Sequence, residues 1–181
     1  AFAAQILPSD TALPPTASCG VVHFVNRALG VSHFAGMLPT VRAGLANYLN
    51  SQLALGVDGF RVDAAKHIPE ADLAAIESRL TNTASGSSPY IFQEVYPGAT
   101  PQPSDYYGSG DVLDFTYASK LKSAFQGSVS DLASLSSSGI LPAANSVSFV
   151  TNHDTERNGL HLSYKDGDTY KLANLFQLAY K

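Results

Sequence analysis

Residues 56–67 read GVDGFRVDAAKH, and the reading of this stretch decides the fold. Its length and apolar content suit a core strand, yet Asp58, Arg61 and Asp63 interrupt it. Successive side chains of a strand point to opposite faces, so Arg61 and Asp63 share one side and Phe60 and Val62 the other. Buried charge is costly unless another group pairs with it or the site uses it. Phe60 and Val62 are therefore expected to face helices, and Arg61 and Asp63 to face a site. Asp58 is assigned to structure.

Outward from this strand the chain alternates. TVRAGLANYLNSQLALG (40–56) places Val41, Leu45, Tyr48, Leu49, Leu53 and Ala54 on one helical face and closes at Gly56. PEADLAAIESRL (69–80) predicts a helix with Pro69 near its start and Leu73, Ile76 and Leu80 on one face. A loop (81–89), the strand YIFQEV (90–95) and a long loop, YPGATPQPSDYYGSG (96–110), follow. DVLDFTY (111–117) reads as a short strand, and ASKLKSAFQG (118–127) and VSDLASLSSSG (129–139) as helical pieces. SVSFV (146–150) is a strand, TNHDTERNGLHLSYKDG (151–167) a long loop, and DTYKLANLFQLAYK (168–181) a final helix. The first 39 residues, with prolines at 8, 14, 15 and 39, read as loop with at most one short strand in GVVHFV (20–25). Helices alternating with strands predict a parallel sheet with crossover helices.

Composition narrows the functions. The chain has 181 residues, the span of one ordinary domain or part of a larger one, and 45% of them are hydrophobic, enough for a sizeable core. A net charge of -4 argues against nucleic acid, whose phosphates call for a basic face. No apolar run is long enough to span a bilayer. The amino-terminal stretch lacks the basic region of a signal peptide. Cys19 is a single cysteine and makes no internal disulfide.

Three acids stand at strand ends. Asp63 ends the first of these strands, Glu94 ends the second and Asp154 follows the fourth, at separations of 31 and 60 residues. A barrel of eight strand–helix units in roughly 250 residues has about 31 residues per unit. The acids thus stand one unit and then two units apart, on the carboxyl-end face where such barrels build their sites. Arg61 beside Asp63 favours its carboxylate, as a nucleophile requires, and the apolar run before Glu94 should keep that acid protonated. One acid held charged and another held neutral is the division of labour in glycoside hydrolysis, where a retaining pair stands roughly 5–5.5 Å apart. Taken singly, each has a bland reading: Arg61 and Asp63 a structural ion pair, Glu94 a helix cap, NHDTERN a capped polar loop. His23, His33 and His161 have no partners at a metal-like spacing and are assigned to core or surface. The tyrosines of SDYYGSG (104–110) are candidates for stacking on sugars.

At these residues the sequence resembles the alpha-amylases of glycoside hydrolase family 13. GFRVDAAKH (59–67) resembles the family's nucleophile segment, FQEV (92–95) its proton-donor segment, and FVTNHD (149–154) the segment of its second aspartate. The likeness runs from about Thr40 to Lys181. It implies a fold that is part of a TIM (β/α)8 barrel, about the fourth to seventh strands with their helices, the barrel being incomplete. Residues 40–181 would be partial catalytic barrel, and residues 1–39 an irregular remnant similar to the small domain inserted after the third strand. The family's earlier histidine-bearing segment, its eighth strand and its C-terminal β domain have no counterpart, so the chain is expected to be a piece of a longer enzyme or a damaged copy.

The resemblance implies Asp63 as nucleophile, Glu94 as acid/base and Asp154 as transition-state stabiliser. Arg61 would orient Asp63, His153 would bond the sugar, and Lys66 and His67 would meet sugar on the leaving-group side. It also implies a structural calcium taking the His67 backbone carbonyl, although FAGMLPT (34–40) lacks the acid that relatives carry there. In some members the equivalents of Arg61 and Asn152 hold chloride. The implied activity is retaining endo-hydrolysis of alpha-1,4-glucosidic bonds, on starch, glycogen or maltooligosaccharide, by an extracellular monomer. The alternatives are a related alpha-glucosidase or transglycosylase, a non-catalytic glucan-binding fragment, and a metal-dependent barrel hydrolase.

Overall fold

The computed structural model describes residues 39–180 and, as backbone alone, residues 21–24. Cys19, His33, the His23 side chain and most of the 1–39 stretch lie outside the described residues. The chain divides into two compact units, residues 1–111 and 112–181.

In the first unit three strands pair in parallel: β1 (Val21–Phe24), β2 (Gly59–Val62) and β3 (Tyr90–Gln93). β1 sets Val21 opposite Gly59 and Phe24 opposite Val62, and β3 sets Tyr90 opposite Gly59 and Gln93 opposite Val62. Parallel neighbours need a crossover. Helix α1 (Pro39–Ala54) lies in the first connection and α2 (Glu70–Glu77) in the second. β1 is the short strand expected in GVVHFV, and it pairs ahead of β2. Gly59 is required by close approach, since a Cβ there would strike the Tyr90 carbonyl.

The core of this unit joins Ala46, Leu49 and Leu53 of α1 to Val57, Phe60 and Ile76, with Leu45, Tyr48, Leu80 and Ile91 packed against it. Phe60 therefore faces the helical layer, as the strand period requires. The helical face differs from expectation at one end. Ala54 is exposed where the chain leaves the helix toward Gly56, which has φ +96, and Ala46 is buried on the same face as Leu49 and Leu53. Asp72 of α2, 2% exposed, is paired by Arg42 of α1 at 2.7 Å. Glu70 and Asp72 also place negative charge in the first turn of α2, where the helix dipole favours it.

The 96–110 loop is not free. It contains a 3₁₀ segment, Pro103–Ser109, entered through reciprocal bonds between Gln102 and Asp105. The fully buried amide of Gln93 donates to the carbonyls of Tyr106 (3.0 Å) and Gly110 (3.3 Å). Tyr106 is itself 1% exposed and donates its hydroxyl to the Ile68 carbonyl at 2.8 Å. That corrects its assignment as a sugar-stacking tyrosine: it is a core anchor.

In the second unit, β4 (Asp111–Leu113, whose first residue closes the first unit) and β5 (Ser146–Val147) pair in parallel, Val112 opposite Ser146. The strand expected through Tyr117 stops at Leu113, because Asp114 caps α3 (Phe115–Gln126), accepting from Tyr117 N–H at 2.9 Å. Its other oxygen accepts from Leu141 N–H at 2.8 Å. Residues Val129–Ser137 form a 3₁₀ segment, and the loop expected at 151–167 contains a short helix, α4 (His153–Asn158). α5 (Asp168–Ala179) follows. Tyr117 and Leu121 of α3, Leu135, Val150, Leu162 and Ala173 of α5 make the core. His161 is 4% exposed, lies against Phe115 and Phe149, and meets Ser119 Oγ through Nε2 at 3.1 Å, so it is a core histidine.

Candidate active site

The register of β2 and β3 builds the site. Because Val62 lies opposite Gln93, the residues just beyond, Asp63 and Glu94, leave neighbouring strand ends side by side. The Glu94 N–H donates to the Val62 carbonyl at 2.9 Å and carries the ladder to that point. Arg61, 5% exposed, lies beneath both acids. Its Nη1 donates to Asp63 Oδ1, and its Nη2 lies 3.1 Å from Glu94 Oε2. The same Glu94 oxygen accepts from the Ala64 N–H at 3.0 Å.

One guanidinium thus lies against both carboxyl groups. The Asp63 side chain is 20% exposed and that of Glu94 16%, so both are largely desolvated yet open on one side. Burial pushes the Glu94 carboxyl above its ordinary range. The Ala64 N–H and the Arg61 charge pull it back, while the neighbouring Asp63 carboxyl pushes it up. Such a pair can divide labour, one carboxyl retaining its proton beside another that is held by a guanidinium.

The remaining expected residues fall into two groups. Lys66 and His67 belong to a 3₁₀ turn, Ala65–His67, directly after Asp63 and Ala64. Lys66 Nζ donates to the Tyr96 carbonyl at 3.0 Å, tying the loop after β2 to the loop after β3, and His67 is exposed. Asp154 and His153 lie in the second unit, in the first turn of α4. Their side chains are half-exposed, with His153 Nε2 3.3 Å from Asp154 Oδ2. Asn152 starts that helix: its Oδ1 accepts from the N–H groups of Asp154 (3.1 Å) and Thr155 (2.8 Å), and Thr155 Oγ1 accepts from Asn152 N–H at 3.0 Å. The cap uses the Asn152 side chain and leaves the Asp154 carboxylate outside it.

Two residues of the site had no signal in the sequence reading. Ala64 touches Glu94 only through its backbone, which no pattern of side-chain types reports. Tyr96, half-exposed, stood unremarked in a loop rich in proline and glycine.

The residues present fit calcium poorly. Among the described residues no three His, Cys, Asp or Glu side chains come together, which leaves the His67 carbonyl without a carboxylate set. In the second unit, Asn152 Nδ2 is a buried donor with no hydrogen-bond partner. No helix among the described residues is long and apolar enough to cross a membrane.

Parallel strands, helices in the crossovers and paired acids at strand carboxyl ends define the class: part of a (β/α)8 barrel, its circle not closed, bearing a two-carboxylate site. The particular relatives are alpha-amylases. The chain is 46% identical over 169 residues to the alpha-amylase of Streptomyces violaceus, a match covering 90% of this chain and 27% of that protein. It is 41% identical over 154 residues to that of Tribolium castaneum, covering 77% of this chain and 31% of the relative. Among solved structures, wild-type alpha-amylase I of Eisenia fetida superposes with a TM-score of 0.77 at 29% identity, covering 80% of this chain and 33% of that one. The same amylase in a variant complexed with maltohexaose matches equally well. The chain is thus similar in sequence and fold to alpha-amylases, and spans about a third or less of the length of these relatives. No protein-family model matches it.

Proposed function

We propose that this chain carries the catalytic carboxylates of a retaining glycoside hydrolase acting on internal alpha-1,4 bonds of starch, glycogen or maltooligosaccharide. The observation that carries the reading is the placement of Asp63 and Glu94 at neighbouring strand ends, both against one buried arginine. Glu94, its proton retained by burial, protonates the leaving oxygen while Asp63 attacks the anomeric carbon and forms a glycosyl-enzyme. Water activated by the same Glu94 then releases the sugar with its configuration retained. The maltohexaose complex of the Eisenia fetida relative supports a glucan as substrate.

In this reading Asp154 stabilises positive charge on the sugar ring and His153 bonds the same ring. Lys66 and His67 meet the leaving-group side, and Arg61 orients both acids. No step of this reading depends on calcium or chloride.

The test uses the protein that carries this chain. Asp63→Asn should leave no measurable turnover of soluble starch with the fold retained, and Glu94→Gln should lower kcat by about 10²- to 10⁴-fold. Near-normal hydrolysis by Asp63→Asn would overturn the assignment. Short oligosaccharides released early by the wild type would mark internal cleavage, whereas terminal glucose or transfer products would point to a glucosidase or transglycosylase.

A further inference from the structure

Ala64 is the one non-glycine residue among those described with a positive φ, at φ 48 and ψ 36. For an L-residue with a Cβ this conformation is strained. Alanine also has no side chain with which to make the local hydrogen bonds that excuse asparagine or aspartate there. The surroundings hold it in place. The Ala64 carbonyl accepts from His67 N–H at 3.0 Å, closing the 3₁₀ turn, and the next residue, Ala65, is fully buried. The strand has just delivered Asp63 to the site, and one left-handed residue then breaks the extended path and turns a peptide N–H onto the neighbouring strand's acid. Backbone strain of this kind gathers where a site is held in one geometry.

That N–H donates to Glu94 Oε2 at 3.0 Å, and Arg61 Nη2 stands 3.1 Å from the same oxygen. The Ala64 N–H donates to this oxygen and the guanidinium charge stands beside it, and an oxygen so held is a poor place for the proton. The two groups also differ in what they serve. Arg61 holds Asp63 as well, while the Ala64 N–H touches Glu94 alone.

We propose that the Ala64 N–H is a positioning group for the acid/base, fixing Oε2 of Glu94 so that Oε1 carries the proton delivered to the leaving oxygen. This rests on the reading of Glu94 as acid/base. The charged groups that face Glu94 are Arg61 and Asp63, both on or just beyond β2, and the Ala64 N–H adds a donor that favours its ionised form.

The clean test replaces residue 64 by its α-hydroxy-acid analogue in the protein that carries this chain, so that an ester oxygen stands where the N–H was and the Cβ is kept. The basic limb of kcat/KM against pH reports loss of the acid's proton. Without the N–H it should move to higher pH by about one unit. Ala64→Gly keeps the N–H and accepts the left-handed conformation at no steric cost, and its basic limb should stay where the wild type has it. Ala64→Val, which resists that conformation, should move the limb as the ester does. An ester enzyme whose limb is unmoved, or a Gly variant whose limb moves as far as the ester's, overturns the proposal. The reading of Glu94 fails separately: Glu94→Gln with normal turnover would remove the acid/base role itself, whereas an unmoved limb in an enzyme killed by Glu94→Gln sinks only the Ala64 assignment.

Discussion

One guanidinium serves two acids, and that fixes what its replacement should do. Arg61 reaches Asp63 with one terminal nitrogen and Glu94 with the other, a fork that a lysine ammonium, being a point charge, cannot reproduce. Arg61→Lys keeps the positive charge and loses the shape. It should lower kcat by about a hundredfold, the cost of misplacing a reacting group by an ångström, with a smaller change in KM. Steady-state kinetics on soluble starch, beside a denaturation curve to show that the fold survives, would measure this. An Arg61→Lys enzyme with normal kcat would reduce the arginine to a generic counter-charge. At this scale the sequence was legible where side chains speak: the period of two put Arg61 and Asp63 on one face, and the apolar run before Glu94 announced a desolvated acid. The guanidinium's second contact was not legible, because it depends on the register of β2 against β3.

Elements were read less evenly. The two helices that flank β2 were visible because their apolar positions recur at helical spacing and pack together around Phe60. β4 was overextended and α4 was missed for the same reason, that a capping side chain outranks local pattern. In DVLDFTY the run of apolar residues suits a strand, but Asp114 lies buried where it can accept two backbone N–H groups and start α3. In NHDTERN, Asn152 and Thr155 exchange bonds and Gly159, at φ +70, closes a helix too short for periodicity to betray. If Asp114 decides the strand–helix boundary, Asp114→Ala should cost about 2–3 kcal/mol by urea denaturation, the loss of a cap plus a buried N–H left unpaired. Asp114→Asn keeps a carbonyl acceptor and should lose less. Equal losses for the two variants would mean that the site needs the charge and not the hydrogen-bond geometry.

For the whole molecule, alternation of helices and strands foretold parallel strand pairing, and the one-unit spacing of Asp63 and Glu94 matches their places at neighbouring strand ends. What that spacing does not contain is the response of each unit to pH, which depends on burial. In the second unit, burial among Phe115 and Phe149 and the nearby charge of Lys122 lower His161 from 6.5 to about 4. Its neutral form is favoured by folding, so its contribution is fully present above pH 6.5 and is lost as pH falls toward 4. In the first unit, burial raises Glu77 from 4.5 to about 7 against a hydrogen bond from Ser109. Folding there favours the protonated acid, a contribution present below pH 4.5 and lost as pH rises through 7. The two units should therefore respond to mild acidification in opposite senses at these groups. Amide hydrogen exchange, corrected for the intrinsic rate at each pH, resolves them through the amides of α1 and α2 on one side and α3 and α5 on the other. His161→Gln should spare the second unit a loss on the order of 2 kcal/mol between pH 7 and pH 4, while leaving the first unchanged. Glu77→Gln should stabilise the first unit relative to wild type increasingly from pH 5 to pH 8, while leaving the second unchanged. If either variant altered protection equally in both units at every pH, the molecule would open as a single cooperative body, and neither buried group would set a local pH response.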